Sequence, residues 1–186
     1  GTNMSYTFSR RDFMKYTALT AVAIAGSSML TGCSNPNRPV GTIGSTLKPG
    51  SGICEATLLS GASKPTYQRN ELVCHFKIKS LLAGLQVSAG HFQVDVTGGE
   101  HPGSYNVNTH PTGVAAATFD LQGGTDATTK NQVLSDVALT VTGIDLTGAT
   151  NVAVRYCPKH SADENGKDLY NDVYATWNIT ANDLGL

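Results

Sequence analysis

The chain predicts an all-β protein, an antiparallel β-sandwich of about seven or eight strands. Three observations carry this. From residue 53 onward apolar and polar residues alternate with a period of two, the spacing of a half-buried strand. Glycine pairs and an Asn-Gly dipeptide punctuate the alternating runs. With 20 Gly, 7 Pro and only 3 Met in 186 residues, the composition is that of a turn-rich β protein rather than a helical bundle. That length suits one domain with room for a hydrophobic core.

Each run places one set of residues inward. Cys54, Ala56 and Leu58 share a face, followed by Leu72, Cys74, Phe76 and Ile78 against Val73, His75, Lys77 and Lys79. Phe92, Val94 and Val96 alternate with Gln93, Asp95 and Thr97. Ala115, Ala117, Phe119 and Leu121 come next, then Val137, Leu139 and Val141, then Val152, Val154 and Tyr156. The last run turns Val173, Ala175, Trp177 and Ile179 to one side and Asp172, Tyr174, Thr176 and Asn178 to the other. Turns are expected at Gly98-Gly99, Gly123-Gly124, Gly143, Gly148 and Asn165-Gly166, the last a type I′ hairpin tip. Ser80–Gly84 has the composition for one short helical turn. Trp177, Phe76, Phe119, Val94, Leu139 and Val154 are the expected core.

The N-terminal residues form an address. Arg10 and Arg11 precede Asp12, Phe13 and Lys15; an apolar run then covers residues 16–30, and Leu30-Thr31-Gly32-Cys33 follows. A charged segment, a short apolar segment and small residues are the layout of a cleavable export peptide. The run is about 15 residues, short of the roughly 20 a spanning helix needs. The Arg10-Arg11 motif with Phe13 and Lys15 resembles the twin-arginine signal of bacteria and archaea. Leu30 to Cys33 resembles the lipobox of bacterial lipoproteins. The resemblance covers residues 9–33 and implies cleavage before Cys33, with a diacylglycerol on its thiol. It implies a protein held by its acyl chains on the outer face of the bacterial cytoplasmic membrane. Met4 reads as the start, with residues 1–3 upstream of it.

The resulting organisation is an export peptide over residues 1–32, a lipidated N-terminus and flexible linker over 33–52, and the sandwich over 53–186. The linker expectation rests on its Ser, Asn, Pro and Gly content; extended, it would reach roughly 60 Å. The strand layout resembles the small immunoglobulin-like domains of bacterial surface lipoproteins, which implies an immunoglobulin-like sandwich. Cleavage removes Arg10, Arg11, Lys15 and Asp12, taking the 13 basic and 14 acidic residues to 10 and 13, net −3. Such a body has no electrostatic reason to bind nucleic acid or anionic lipid, so membrane attachment is assigned to the lipid.

With Cys33 lipidated, Cys54, Cys74 and Cys157 remain. Cys54 and Cys74 both face inward on strands that can be neighbours, and Cys54–Cys74 is the favoured disulfide. Cys74–Cys157 and no bridge are the alternatives. Cys157 with His160 is a candidate metal pair; His75 lies on the opposite face from Cys74 and cannot join it. Asp163, Asn165 and Asp168 carry oxygen ligands but do not meet the EF-hand pattern. No bound cofactor is expected.

The stretch from Gly98 to Gly113 is long for a sandwich connection. Glu100, His101, Tyr105, Asn106 and His110 in it are candidate binding-loop residues; the plainer expectation is a solvated linker with a short edge strand near Tyr105–Val107. There is no G-x-S-x-G, phosphate loop or G-x-G-x-x-G, and the carboxylates are scattered, so a non-catalytic binding or structural module is expected. Its partners would be the membrane, through the lipid, and a protein or cell-envelope component. The alternatives are an accessory subunit of a cofactor-bearing exported redox complex, and a small-solute or metal-binding lipoprotein.

Overall fold

The computed structural model describes residues 35–158 and 173–186. In chain order its strands are β1 (Val40–Thr42), β2 (Thr46–Leu47), β3 (Cys54–Leu58), β4 (Thr66–Gln68), β5 (Glu71–Ser80), β6 (Leu85–Gln86), β7 (Phe92–Gly98), β8 (Gly103–Tyr105), β9 (Thr118–Gln122), β10 (Asp126–Ala127), β11 (Val133–Thr142), β12 (Ala149–Tyr156) and β13 (Ala175–Thr180). The alternating runs therefore form strands, and the fold is an all-β sandwich. One sheet has the order β1-β13-β12-β7-β8, the other β2-β3-β5-β11-β9, with β4 also on β5. The orders β3-β5-β11-β9 and β7-β12-β13 correspond to the ABED and CFG sheets of the immunoglobulin fold. β6 and β10 form a separate two-stranded pair.

The inward faces meet as alternation requires. Leu72, Cys74, Phe76, Ile78, Val94, Leu139, Val154 and Trp177 are fully buried, and Phe119 nearly so. Aromatic rings run through the interior: Trp177 meets Phe76 edge-on at 5.2 Å, Phe76 meets Phe92 at 5.3 Å, and Phe92 stacks on Tyr156 at 4.9 Å. Such pairs add about 0.5–1.5 kcal/mol each beyond the burial of their area. The Trp177 indole N–H donates to the Ser45 carbonyl at 2.9 Å, satisfying its one polar atom.

Several expectations are corrected. Ser80–Gly84 forms no helix; Ser80 ends β5 and a turn follows. Ala115 is exposed, and the run expected from Ala115 enters the sheet only at Thr118. The described part of the expected linker, residues 35–52, is built into the sandwich. β1 runs parallel to β13, pairing Val40 with Thr176 and Thr42 with Asn178, and β2 pairs with β3. Tyr174 N–H donates to the Asn37 carbonyl and Thr176 N–H to the Pro39 carbonyl. The reason is the sheet edge: β13 would otherwise present open donors and acceptors. Ile43 and Leu47 supply apolar anchors against the core. Composition alone hides this, because the strands are two and three residues long.

The favoured disulfide does not form; Cys54 and Cys74 are free thiols. Both face the core, but Cys54 pairs with Ser80 on β5, six positions beyond Cys74. That is about 20 Å along the strand, whereas a disulfide needs Cα atoms within about 7 Å. Burial pushes the Cys54 and Cys74 thiols up to about 12. The Cys157 thiol donates to the Val173 carbonyl at 3.0 Å.

Candidate functional site

Two loops meet at one end of the sandwich. The first joins β7 to β8 and carries Glu100 and His101; the second joins β11 to β12 and carries Asp145. The second loop is fixed from below. Ile144 and Leu146 are fully buried, so Asp145 between them is turned outward. The Tyr67 hydroxyl on β4 lies 2.9 Å from the Ile144 carbonyl and accepts the Leu146 N–H at 3.0 Å. Asn70, at φ +62°, accepts the Gly143 and Ile144 N–H groups on its carbonyl. Asn is among the residues that tolerate this left-handed backbone.

The first loop docks on the second backbone to backbone. Gly99 has φ +81°, and a Cβ there would lie 2.5 Å from the Thr147 carbonyl oxygen and 2.6 Å from the Ala149 nitrogen. Glycine is required on both counts. Glu100 N–H donates to the Thr147 carbonyl at 3.0 Å, which locks the loops together. Tyr105, fully buried on β8, donates its hydroxyl to the His101 carbonyl at 2.8 Å.

These supports bring three side chains to one point. Glu100, His101 and Asp145 each offer a ligand atom, all within 4.8 Å of one another. His101 Nε2 lies 3.5 Å from Asp145 Oδ2, both side chains being about one-third exposed. The other carboxylate oxygen, Oδ1, is taken by Thr147, whose hydroxyl donates at 2.6 Å and N–H at 3.0 Å. Those bonds, hydroxyl first, hold the Asp145 carboxyl below the usual carboxylate range, with the His101 charge a smaller contribution in the same direction. Burial raises the Tyr105 phenol, and nearby Asp145 adds to it.

The sequence-predicted loop residues thus separate into two groups. Glu100 and His101 belong to the cluster. Tyr105 and Asn106 are buried and serve the fold: Asn106 Nδ2 donates to Gln93 Oε1 at 2.8 Å, and its Oδ1 accepts the Asn108 N–H. Neither offers a recognition surface, because β8 turns Tyr105 into the core and the Asn106 side chain is taken up by Gln93 and Asn108. His110 is exposed and sits 3.1 Å from the Pro111 carbonyl, apart from the cluster. Arg10, Arg11, Phe13, Lys15, Cys33, His160, Asp163, Asn165, Gly166 and Asp168 lie outside the described residues, so Cys157 is the one described member of its candidate metal pair.

Asp145 was not foreseen. Its loop, Gly143 to Gly148, reads as a turn, and nothing local places it beside residue 100. A second polar group not foreseen lies on the outer face of β7, β8 and β12. Arg155 Nε is 2.9 Å from Asp95 Oδ2, Ser104 and Gln93 donate to Asp95 Oδ1, and the Arg155 guanidinium sits 4.9 Å over the Tyr174 ring. Its charges are matched within the group, by the Arg155–Asp95 ion pair. Comparison with protein-family models, with curated proteins and with solved structures found no match to the chain.

Proposed function

We propose that the protein is an exported, lipid-anchored binding module without catalytic activity, held by Cys33 on the outer face of the cytoplasmic membrane and presenting its far end to ligands. The export and lipidation parts rest on Arg10-Arg11, the short apolar run and the Leu30 to Cys33 motif. The observation that carries the binding part is the polarity of the sandwich. β1 runs parallel to β13, which starts beside the end of β12 and the start of β7. The chain therefore enters at the Phe92 and Tyr156 end. The Glu100, His101 and Asp145 cluster lies at the opposite end of β7, about 20 Å away.

Because residues 35–52 are part of the folded body, only Ser34 separates the lipid-bearing Cys33 from it. The domain stands directly on the bilayer rather than on a long tether. Among the described residues no helix is long and apolar enough to cross a membrane, and the acyl chains are the proposed attachment.

Mass spectrometry of the N-terminal peptide from membrane-purified protein tests this reading. The expected species begins at Cys33 with diacylglycerol on the thiol, and Cys33→Ala releases the protein from the membrane fraction. An unmodified Cys33 with residues 1–32 still attached contradicts it.

A further inference from the structure

We propose that Glu100, His101 and Asp145 bind one divalent transition-metal ion of the Zn2+ class at the membrane-distal end of the sandwich. The inference deepens the binding-module reading by naming a ligand, and it holds whether or not Cys33 is lipidated.

The chain contains its own control. Among the described residues two His–Asp pairs stand on its surface. His75 Nδ1 and Asp136 Oδ1 stand at 2.8 Å, a completed hydrogen bond that no third ligating group joins among the described residues. His101 Nε2 and Asp145 Oδ2 stand at 3.5 Å. Charge-assisted hydrogen bonds close to about 2.7–2.9 Å, so the second pair is held open. Two ligands each about 2.1 Å from a tetrahedral ion lie about 3.4 Å apart. The observed separation is that edge.

The third ligand and the supports agree with this. Glu100 completes a set of three ligand atoms within 4.8 Å, and its exposed side chain is free to close the last distance. Asp145 is aimed by Thr147, which occupies Oδ1 and leaves Oδ2 toward the imidazole. Outer bonds of this kind orient metal-binding carboxylates. The backbone beneath His101 is held by Tyr105, and that beneath Glu100 by the Thr147 carbonyl. One imidazole and two carboxylates carry a charge of −2 with the imidazole neutral, which a divalent ion cancels. Ca2+ wants six to eight oxygens, and Mg2+ a near-ideal octahedron of them. An imidazole in a three-residue set selects a borderline transition metal instead. Three protein ligands leave a coordination position open to water or to a donor from a partner.

The test uses full-length protein in detergent, stripped with EDTA and titrated with ZnCl2 by calorimetry, then with CoCl2 by visible absorption. One equivalent of Zn2+ is expected, with a Co2+ spectrum showing nitrogen and oxygen ligation. His101→Ala and Asp145→Asn each lower affinity by about 10-fold or more, and Thr147→Val, which leaves all three ligands in place, by about 10-fold. His75→Ala, His110→Ala and His160→Ala leave it unchanged. Binding that survives both His101→Ala and Asp145→Asn, that disappears in His160→Ala, or that is absent from the parent protein overturns the proposal. Asp145→Asn keeps the shape of the side chain, so a folding failure of His101→Ala does not decide the outcome.

Discussion

Strands β7 and β12 run from Phe92 stacked on Tyr156 at one end to Gly98 paired with Ala149 at the other, and the two ends are held in different ways. At the first end aromatic rings and buried thiols pack against one another, and the Tyr156 hydroxyl is enclosed without a hydrogen-bond partner among the described residues. At the second the contact is backbone on backbone through Gly99, with hydrogen bonds from Glu100, Thr147 and Tyr105. Apolar packing supplies stability but no ligand chemistry. The glycine contact brings two loops together without spending side chains on it, which leaves Glu100, His101 and Asp145 free to face solvent.

Substitutions at the two ends separate these roles. The largest effect is expected from Phe76→Ala, which removes the ring between Trp177 and Phe92. It costs about 3–5 kcal/mol in urea unfolding and leaves Zn2+ affinity of the folded protein unchanged. Loss of Zn2+ affinity in still-folded Phe76→Ala would break the separation.

The interior thiols give a pH dependence. Folding raises Cys54 and Cys74 from 9.0 to about 12, so the folded state holds their protons more tightly. Their contribution is fully present below pH 9 and is lost as pH rises from 9 toward 12. The two together remove about 2–3 kcal/mol between pH 8 and pH 10. The double variant Cys54→Ala, Cys74→Ala, whatever its stability at pH 8, shows a shallower decline over that interval. An identical slope would refute the assignment.

Gly99→Ala is the corresponding experiment at the far end. The added methyl meets the Thr147 carbonyl, and the backbone there has positive φ. The expected cost is about 1–3 kcal/mol, accompanied, unlike Phe76→Ala, by lost Zn2+ binding. The smallest effect is expected from Tyr156→Phe. Removing an unpaired buried hydroxyl is neutral or stabilising by up to about 1 kcal/mol; a loss above that would show that the hydroxyl has a partner.

Alternation made the core legible. The inward sets around Phe76, Val94, Leu139, Val154 and Trp177 follow from period two, because a strand turns successive side chains to opposite faces. Register does not follow from it. Cys54 and Cys74 were read correctly as inward and wrongly as opposite, since alternation assigns a face and not a position along the partner. Short strands escaped for another reason. β1 and β2 are too brief to show a period, so the linker reading of residues 35–52 failed there. The short edge strand expected near Tyr105–Val107 forms as β8 at Gly103–Tyr105, but its brevity hid that Tyr105 and the adjoining Asn106 are buried. Glu100 and His101 were legible as polar residues in a long loop. Asp145 was not, because it joins them through the glycine contact between loops 46 residues apart in the chain from Gly99 to Asp145.

The claim that one end packs and the other binds is tested most directly by adding CoCl2 to isotope-labelled full-length protein in micelles and recording amide spectra. The paramagnetic ion is expected to shift and broaden residues 98–103 and 143–149 most strongly, with the effect fading along β7 toward Phe92. Perturbation centred on His75, His110 or Cys157, or none at one equivalent of Co2+, would contradict it.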